Sequence, residues 1–321
     1  MSESFPVTEA RLTAVFLEAI CFGVLVVNFG FCLHALFHHG GQSRRFSEVN
    51  WLMVLVTTSS LIIGAFNLSI GFYHNLRIFV LLQGKKDPEE EFSNISDWIN
   101  VARTITTHLQ VLLGDAILIY RCWILWQRSF LAIFLPSILW SGALSMAIWV
   151  TYIELTIKTK LLISGQVLMP AITTFWALTI TLNILTTTLL VYAIWIVEVN
   201  NKRLRISRQG SSPSSLGQII RYIIESGLLY TITSLMTFIT VVTHSNGNYV
   251  ITSAEIMIVP IAFNLIIIRT AHIDDTAQQR TFGDVEPSSS LHFSPFQGLS
   301  QVSEVVTQDI LKDYMVEYKS A

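Results

Sequence analysis

Charge is what this chain has least of. Lys, Arg, Asp and Glu make up 13% of its 321 residues, against about 25% in a soluble domain. A hydrophobic content of 52% and a mean hydropathy of +0.55 go with that deficit, so much of the surface is expected to face lipid. The net charge of -2 excludes the basic field that nucleic-acid binding requires. Cysteine is scarce as well. Cys21, Cys32 and Cys122 lie in or beside apolar segments and form no CxxC pair, which excludes a cysteine zinc site and reads as three buried free thiols. The chain has no phosphate-binding G-x-x-x-x-G-K-[ST] loop, no G-x-G-x-x-G and no G-x-S-x-G elbow, so neither catalysis nor a cofactor is expected. A cleavable signal peptide is not expected either. Glu3 and Glu9 stand where such a signal carries positive charge, and the apolar run that follows is too long for its hydrophobic region.

What the chain has in abundance is long apolar segments. A helix needs about 20 apolar residues to cross roughly 30 Å of hydrocarbon. Seven segments qualify, near 12–37, 51–73, 99–126, 130–153, 168–197, 219–242 and 249–268. The expected fold class is therefore all-α: a seven-span bundle over residues 1–270, followed by a polar, largely disordered tail over 271–321. The apolar stretch 76–82 is too short to span and is expected to extend the second helix or lie at the interface.

Lys and Arg in the connections set the orientation. The odd connections hold Arg44 and Arg45, then Arg121 and Arg128, then Lys202, Arg203, Arg205 and Arg208. The even ones hold fewer, and the second is acidic through Asp87, Glu89, Glu90 and Glu91. This places the amino terminus outside and the tail in the cytosol. The sequon at Asn94 then falls outside, as a possible glycosylation site. Trp51, Trp98, Trp126, Trp140 and Trp149 lie mostly near span ends, where interfacial anchors belong. The third odd connection is a membrane-side basic patch, with Ser207 a phosphorylation candidate behind Arg203 and Arg205. In the tail, Val302, Val306, Ile310 and Tyr314 recur at helical spacing beside several acidic residues, a pattern that points to a protein partner rather than anionic lipid.

Ionisable residues within spans are costly and therefore the first functional candidates. They are Glu18, Arg103, His108, Asp115, Glu225 and Glu255. Arg103 and Arg121 stand 18 residues, about 27 Å, apart on the third span, so each can reach an opposite interface. Arg103 is expected either to anchor there or to pair with Glu18 or Glu255, which lie at similar depth. Asp115 is too short to snorkel and must face the interior, with His108 on the same stripe. Glu225 is expected to pair with Arg221 four residues earlier, or with Arg121 across the bundle, where a bridge would hold the cytosolic side closed. Asn28, Asn67, Asn183 and Asn264 are expected to bond between helices, and Ser60, Gly64 and Gly71 to form a close-packing surface on the second span.

Two seven-span chemistries are incomplete. The last span has no lysine for a retinal Schiff base. Of eight histidines, only His34 and His38 have the His-x-x-x-His spacing of a zinc hydrolase, and no third ligand stands near them. No metal site and no enzyme are expected.

Three segments in order carry a resemblance: Gly114-Asp115-Ala116-Ile117-Leu118-Ile119-Tyr120-Arg121-Cys122-Trp123, Glu225-Ser226-Gly227-Leu228-Leu229-Tyr230, and Ala262-Phe263-Asn264-Leu265-Ile266-Ile267-Ile268-Arg269. Together they resemble a large family of seven-span integral membrane proteins of mushroom-forming fungi. The resemblance implies fold and membrane location, marks Asp115, Arg121 and Glu225 as motif positions, and implies no activity. By shape alone the chain also resembles G-protein-coupled receptors. Tyr120-Arg121-Cys122 departs from their Asp-Arg-Tyr order, Pro260 precedes Asn264 rather than following it, and the outer cysteine pair is missing. The leading functional expectation is a receptor-like sensor of a small or lipidic molecule in the plasma membrane. Glu18, Arg103, His108, Asp115 and Glu255 would form its ligand or ion site, and Arg121, Glu225, Arg203 and Arg205 would couple to a cytosolic signalling partner. The alternatives are a proton- or cation-coupled transporter and a scaffold acting through the tail.

Overall fold

The structure, a computed structural model, describes residues 6–39, 42–43, 49–81, 98–126, 130–156, 164–205 and 215–283. Seven helices account for nearly all of them: α1 (Val7–Phe37), α2 (Trp51–Leu76), α3 (Trp98–Leu125), α4 (Phe130–Thr156), α5 (Ser164–Arg205), α6 (Ser215–Val242) and α7 (Gly247–Gly283). Each holds a stretch long and apolar enough to cross a membrane. After α2 a π-helical turn, Arg77–Leu81, continues the same rod, which places the short apolar stretch as a helix extension. Past α1, strands β1 (His38–His39) and β2 (Gln42–Ser43) form a two-residue antiparallel ladder.

Two boundaries differ most from the sequence expectation. Helix α5 runs on through the basic residues to Arg205, so Arg203 and Arg205 lie in its last turn rather than in a loop. Helix α7 runs to Gly283, well past residue 270. Once a helix has formed, each further residue adds a backbone hydrogen bond without a new nucleation cost, so polar sequence prolongs it beyond the apolar segment. Asn94, Ser207, Arg208 and the tail segment 284–321 lie outside the described residues.

The bundle is turned inside out relative to a soluble protein. On α1, Leu12, Phe16, Ile20, Val24, Val27 and Phe31 face outward, an apolar stripe at three- and four-residue steps. Small and polar side chains face inward: Ala10, Ala14, Glu18, Asn28 and Cys32. Hydroxyls that point outward are satisfied by their own helix. Ser141, Ser145, Thr173, Thr174, Thr181 and Thr188 each donate to the carbonyl four residues earlier, so none presents an unpaired donor to an apolar surrounding.

Consecutive helices pack side by side, and α7 closes the ring against α1. Helix α3 sits within it, touching α2, α4, α5 and α7. Burial follows from that position: 67% of the most apolar window of α7 and 50% of that of α3 are buried, against 22% for α1 and α4. Tryptophan does more than mark span ends. Trp140 donates to the Leu112 carbonyl on α3 at 3.0 Å and Trp126 to the Leu189 carbonyl on α5 at 3.3 Å, so these two tie helices together, while Trp51, Trp98 and Trp149 face outward.

Between apolar helices in lipid, fit replaces the hydrophobic effect as the source of association. Gly64 of the expected small surface packs against Met257 of α7 and Leu25 of α1. The tightest crossing is at Gly114, where an added Cβ would lie 2.6 Å from Phe263 and 2.7 Å from Val259. Gly114→Ala is expected to lower the thermal midpoint in detergent, because overpacking by about 1–3 kcal/mol outweighs a helix-propensity gain of about 1 kcal/mol. Gly64→Ala meets the yielding thioether of Met257 at 3.1 Å and is expected to be close to neutral. Equal midpoints for the two variants would show that α3 and α7 do not cross this closely.

Candidate functional site

The ionisable residues inside the bundle gather in layers, and the largest lies at the end where α1, α3 and α7 begin. Glu18 of α1 is fully buried. Its Oε2 accepts from Arg103 of α3 at 2.9 Å and its Oε1 from Asn67 of α2 at 2.7 Å. Arg103 also donates to Ser253 of α7 at 3.0 Å, and Thr106 donates to the Asn67 carbonyl oxygen at 2.9 Å. Four helices thus meet on one ion pair with both carboxylate oxygens occupied, the condition under which a buried pair is tolerated. Gly71 makes room for it: the Arg103 guanidinium lies 3.3 Å from where a Cβ would stand.

A turn further out, Arg11 donates to Asn100 at 3.2 Å, lies 4.0 Å over the Tyr249 ring, and has its backbone carbonyl bonded by Asn75. Arg11 was outside the first span as read from sequence. The structure buries it and extends the same polar network through it.

The middle layer is built from carboxyl groups and hydroxyls. Asp115 is fully buried and accepts from the Tyr230 hydroxyl of α6 at 2.9 Å, while its Oδ2 has no partner. Glu255 of α7, also fully buried, accepts from Ser234 and Thr237 of α6. Of the two partners expected for Arg103, Glu18 is therefore taken and Glu255 is not. Equal depth does not bring two side chains together, and Glu255 is directed at α6 while Arg103 is directed at α1. His108 shares the α3 stripe with Asp115 but not its bonds: its ring rests on Phe175 of α5, centroids 4.3 Å apart, and Nδ1 has no partner. A residue that the sequence reading missed is Glu154, buried near the end of α4 and bonded by Thr104 of α3 at 3.1 Å. It falls one residue beyond the fourth span as drawn from sequence, and an acid directly following an apolar run was the available signal.

At the opposite end, Glu225 of α6 bonds Arg221 at 2.9 Å and Arg269 of α7 at 2.7 Å. The pair with Arg221 is the local one expected; the bridge to Arg121 does not exist. Arg121 instead turns between α2 and α7. Its Nη1 is buried without a partner beside a small cavity. Of the four asparagines, Asn67 bonds across helices as above and Asn183 donates to Thr231 of α6 at 2.9 Å. Asn28 and Asn264 each retain an unbonded buried atom. His34 and His38 stack ring on ring at 4.5 Å. Among the described residues no three His, Cys, Asp or Glu side chains converge as metal ligands do. The side chains of Arg203 and Arg205 and the whole of Asn94 lie outside the description.

No protein-family model, no curated protein and no solved structure matches this chain.

The Glu18–Arg103 pair makes a quantitative prediction. Glu18→Leu leaves a buried guanidinium without its anion and is expected to cost about 3 kcal/mol or more, read as loss of thermal or denaturant stability in detergent. Removing the Thr106 hydroxyl with Thr106→Val is expected to cost only about 0.6 kcal/mol, the mean for interhelical bonds in a membrane. Glu18→Leu with Arg103→Met together are expected to cost less than the sum of the two single changes. Additive costs would mean that the two residues are not paired.

Proposed function

We propose that this protein is a receptor-like sensor of a small or lipidic molecule at the plasma membrane, with its amino terminus outside the cell and its coupling surface in the cytosol. The observation that supports this reading is the contrast between the two ends of the bundle. At one end α1, α2, α3 and α7 converge on the buried Glu18–Arg103 pair. At the other, α6 is tied to α7 through Glu225 and Arg269, both partly exposed. A ligand that alters the buried cluster bears directly on α3 and α7. Those helices reach α6 through Asp115–Tyr230 and through Glu255 with Ser234 and Thr237. An exposed ion pair contributes little to stability, so the far end of α6 is free to respond. On this reading the basic last turn of α5, with Arg203 and Arg205, meets a cytosolic partner. The resemblance to the seven-span fungal family agrees with the membrane location and adds no role.

One observation favours a second reading. Among the described residues, Asp115, Glu255 and Glu154 are buried carboxyl groups bonded by hydroxyls alone, the kind of residue that carries protons in transporters.

The test is capture of G-protein α subunits, nucleotide removed, by the detergent-solubilised protein. Capture is expected, to increase several-fold in Glu225→Gln, and to be lost when Arg203 and Arg205 are both changed to alanine. Absence of capture by both the wild type and Glu225→Gln, together with proton flux into liposomes that Asp115→Asn abolishes, would replace the sensor with the transporter.

A further inference from the structure

Asp115 of α3 and Glu255 of α7 both meet α6, and both are fully buried. Tyr230 of α6 donates to Asp115 Oδ1 at 2.9 Å. Further along α6, Ser234 donates to Glu255 Oε1 and Thr237 to Glu255 Oε2. Tyr230 and Ser234 stand four residues apart, so they share a helix face, and their hydroxyls interact. Asp115, Tyr230, Ser234 and Glu255 thus form one chain of oxygens that runs from α3 through α6 to α7. The carboxyl groups at its two ends also interact with each other.

Among the described residues no cation bonds either carboxyl group. The charged and titratable groups on the surrounding helices have other neighbours. Glu18 of α1 and Arg103 of α3 bond each other, with Asn67 of α2 and Ser253 of α7 completing that layer. His108 of α3 rests on Phe175 of α5, and Glu154 of α4 accepts from Thr104. Arg121 interacts with Cys32 of α1, and Glu225 of α6 is paired with Arg221 and Arg269.

Counting hydrogens decides what the chain of oxygens can hold. It has three links, and a hydroxyl brings one hydrogen that rotates to suit. Tyr230 and Ser234 therefore supply two. With both carboxyl groups ionised, one link lacks a hydrogen and two like charges lie close together in an apolar slab. With both protonated, one hydrogen is left over as an unbonded buried donor. A single proton gives three hydrogens for three links. The oxygens also say where it rests. Both oxygens of Glu255 accept bonds, as an ionised carboxylate requires. Asp115 Oδ2 is buried without a partner, which costs far less for the carbonyl oxygen of a neutral acid than for a charge.

We propose that this chain is a binding site for one proton, shared between Asp115 and Glu255 and resting on Asp115. In that state Asp115 donates to Tyr230, Tyr230 to Ser234 and Ser234 to Glu255. Passing one hydrogen along each link moves the proton to Glu255 and leaves Asp115 ionised, with no hydrogen gained or lost. A proton needs no cavity, so the close packing of the core is no obstacle. The site does not rest on the sensor reading or on the transporter reading, and its test involves neither G-protein capture nor flux.

The test is infrared spectroscopy of the full-length protein in detergent at neutral pH, reading the carbonyl stretch of protonated carboxyl groups by its shift in D2O. Asp115→Asn is expected to remove the intensity of one carboxyl group, because the amide N–H supplies the third hydrogen and Glu255 stays ionised. Glu255→Gln is expected to remove the same intensity for the same reason, and the double variant no more than either. A double variant that loses twice as much would give each carboxyl group its own proton and overturn the proposal. No loss in any variant would mean that the site holds none. Loss in Asp115→Asn alone would confine the proton to Asp115 and overturn the sharing. Should the amide variants fail to fold, Ser234→Ala decides. It breaks the chain while keeping both carboxyl groups, and is expected to shift the frequency of the band. An unchanged frequency would show that no proton is shared through Ser234.

Discussion

A polar group inside an apolar slab has only the protein to bond with, and an unmet bond there costs several kcal/mol. The arrangement of this bundle follows from that constraint. Outward hydroxyls fold back on their own helices, as Ser141, Ser145 and Thr181 do. Inward polar groups are drawn into shared networks, of which the Glu18–Arg103 pair is the centre, because a charge demands more partners than one helix can supply. Four helices therefore converge where Glu18 is, and the register of α1 against α3 is set by the reach of that pair.

Packing completes what the polar groups begin. Lipid tails are as apolar as leucine, so side chains gain little by leaving them and helices associate through fit. Gly114 lets Phe263 and Val259 of α7 approach α3, and Gly227 does the same for Thr187 between α6 and α5. The close approach of α3 to α7 is what encloses the Arg121 cavity, whose wall includes Phe263 and Asn264 of α7. Pro260 on the same helix removes the hydrogen bond that would otherwise reach the carbonyl four residues before it. The two ends of the bundle differ in kind: one is held by an ion pair whose buried carboxylate has both oxygens bonded, the other by an exposed pair that water can replace.

How much of the site was legible depends on the coordinate asked of the sequence. Depth along a helix was readable, because every residue adds a fixed rise; this is why Glu18 and Arg103 were placed together and why Asp115 had to face inward. Direction around the helix was readable only in part. It put His108 and Asp115 on one stripe but did not say that one would stack on Phe175 and the other bond Tyr230. It was not readable between helices at all. Glu255 and Arg103, or Glu225 and Arg121, share depth yet turn to different neighbours, because the rotation of one helix about its axis against the next is a property of their packing. Arg11 and Glu154 escaped for a simpler reason: each falls one residue outside a span drawn from hydropathy, and boundaries are where such windows are least certain.

By itself the sequence determined the class, the seven spans and their approximate ends, since these follow from local composition and from the thickness a helix must cross. It also determined which residues would be expensive to bury. Which of those residues meet, which hydroxyls answer which carboxyl groups, and that Arg121 lies beside a small cavity rather than bridged to Glu225, were decided by the tertiary structure alone. Those outcomes depend on distances of a few tenths of an ångström between helices far apart in sequence, and no local pattern encodes such distances.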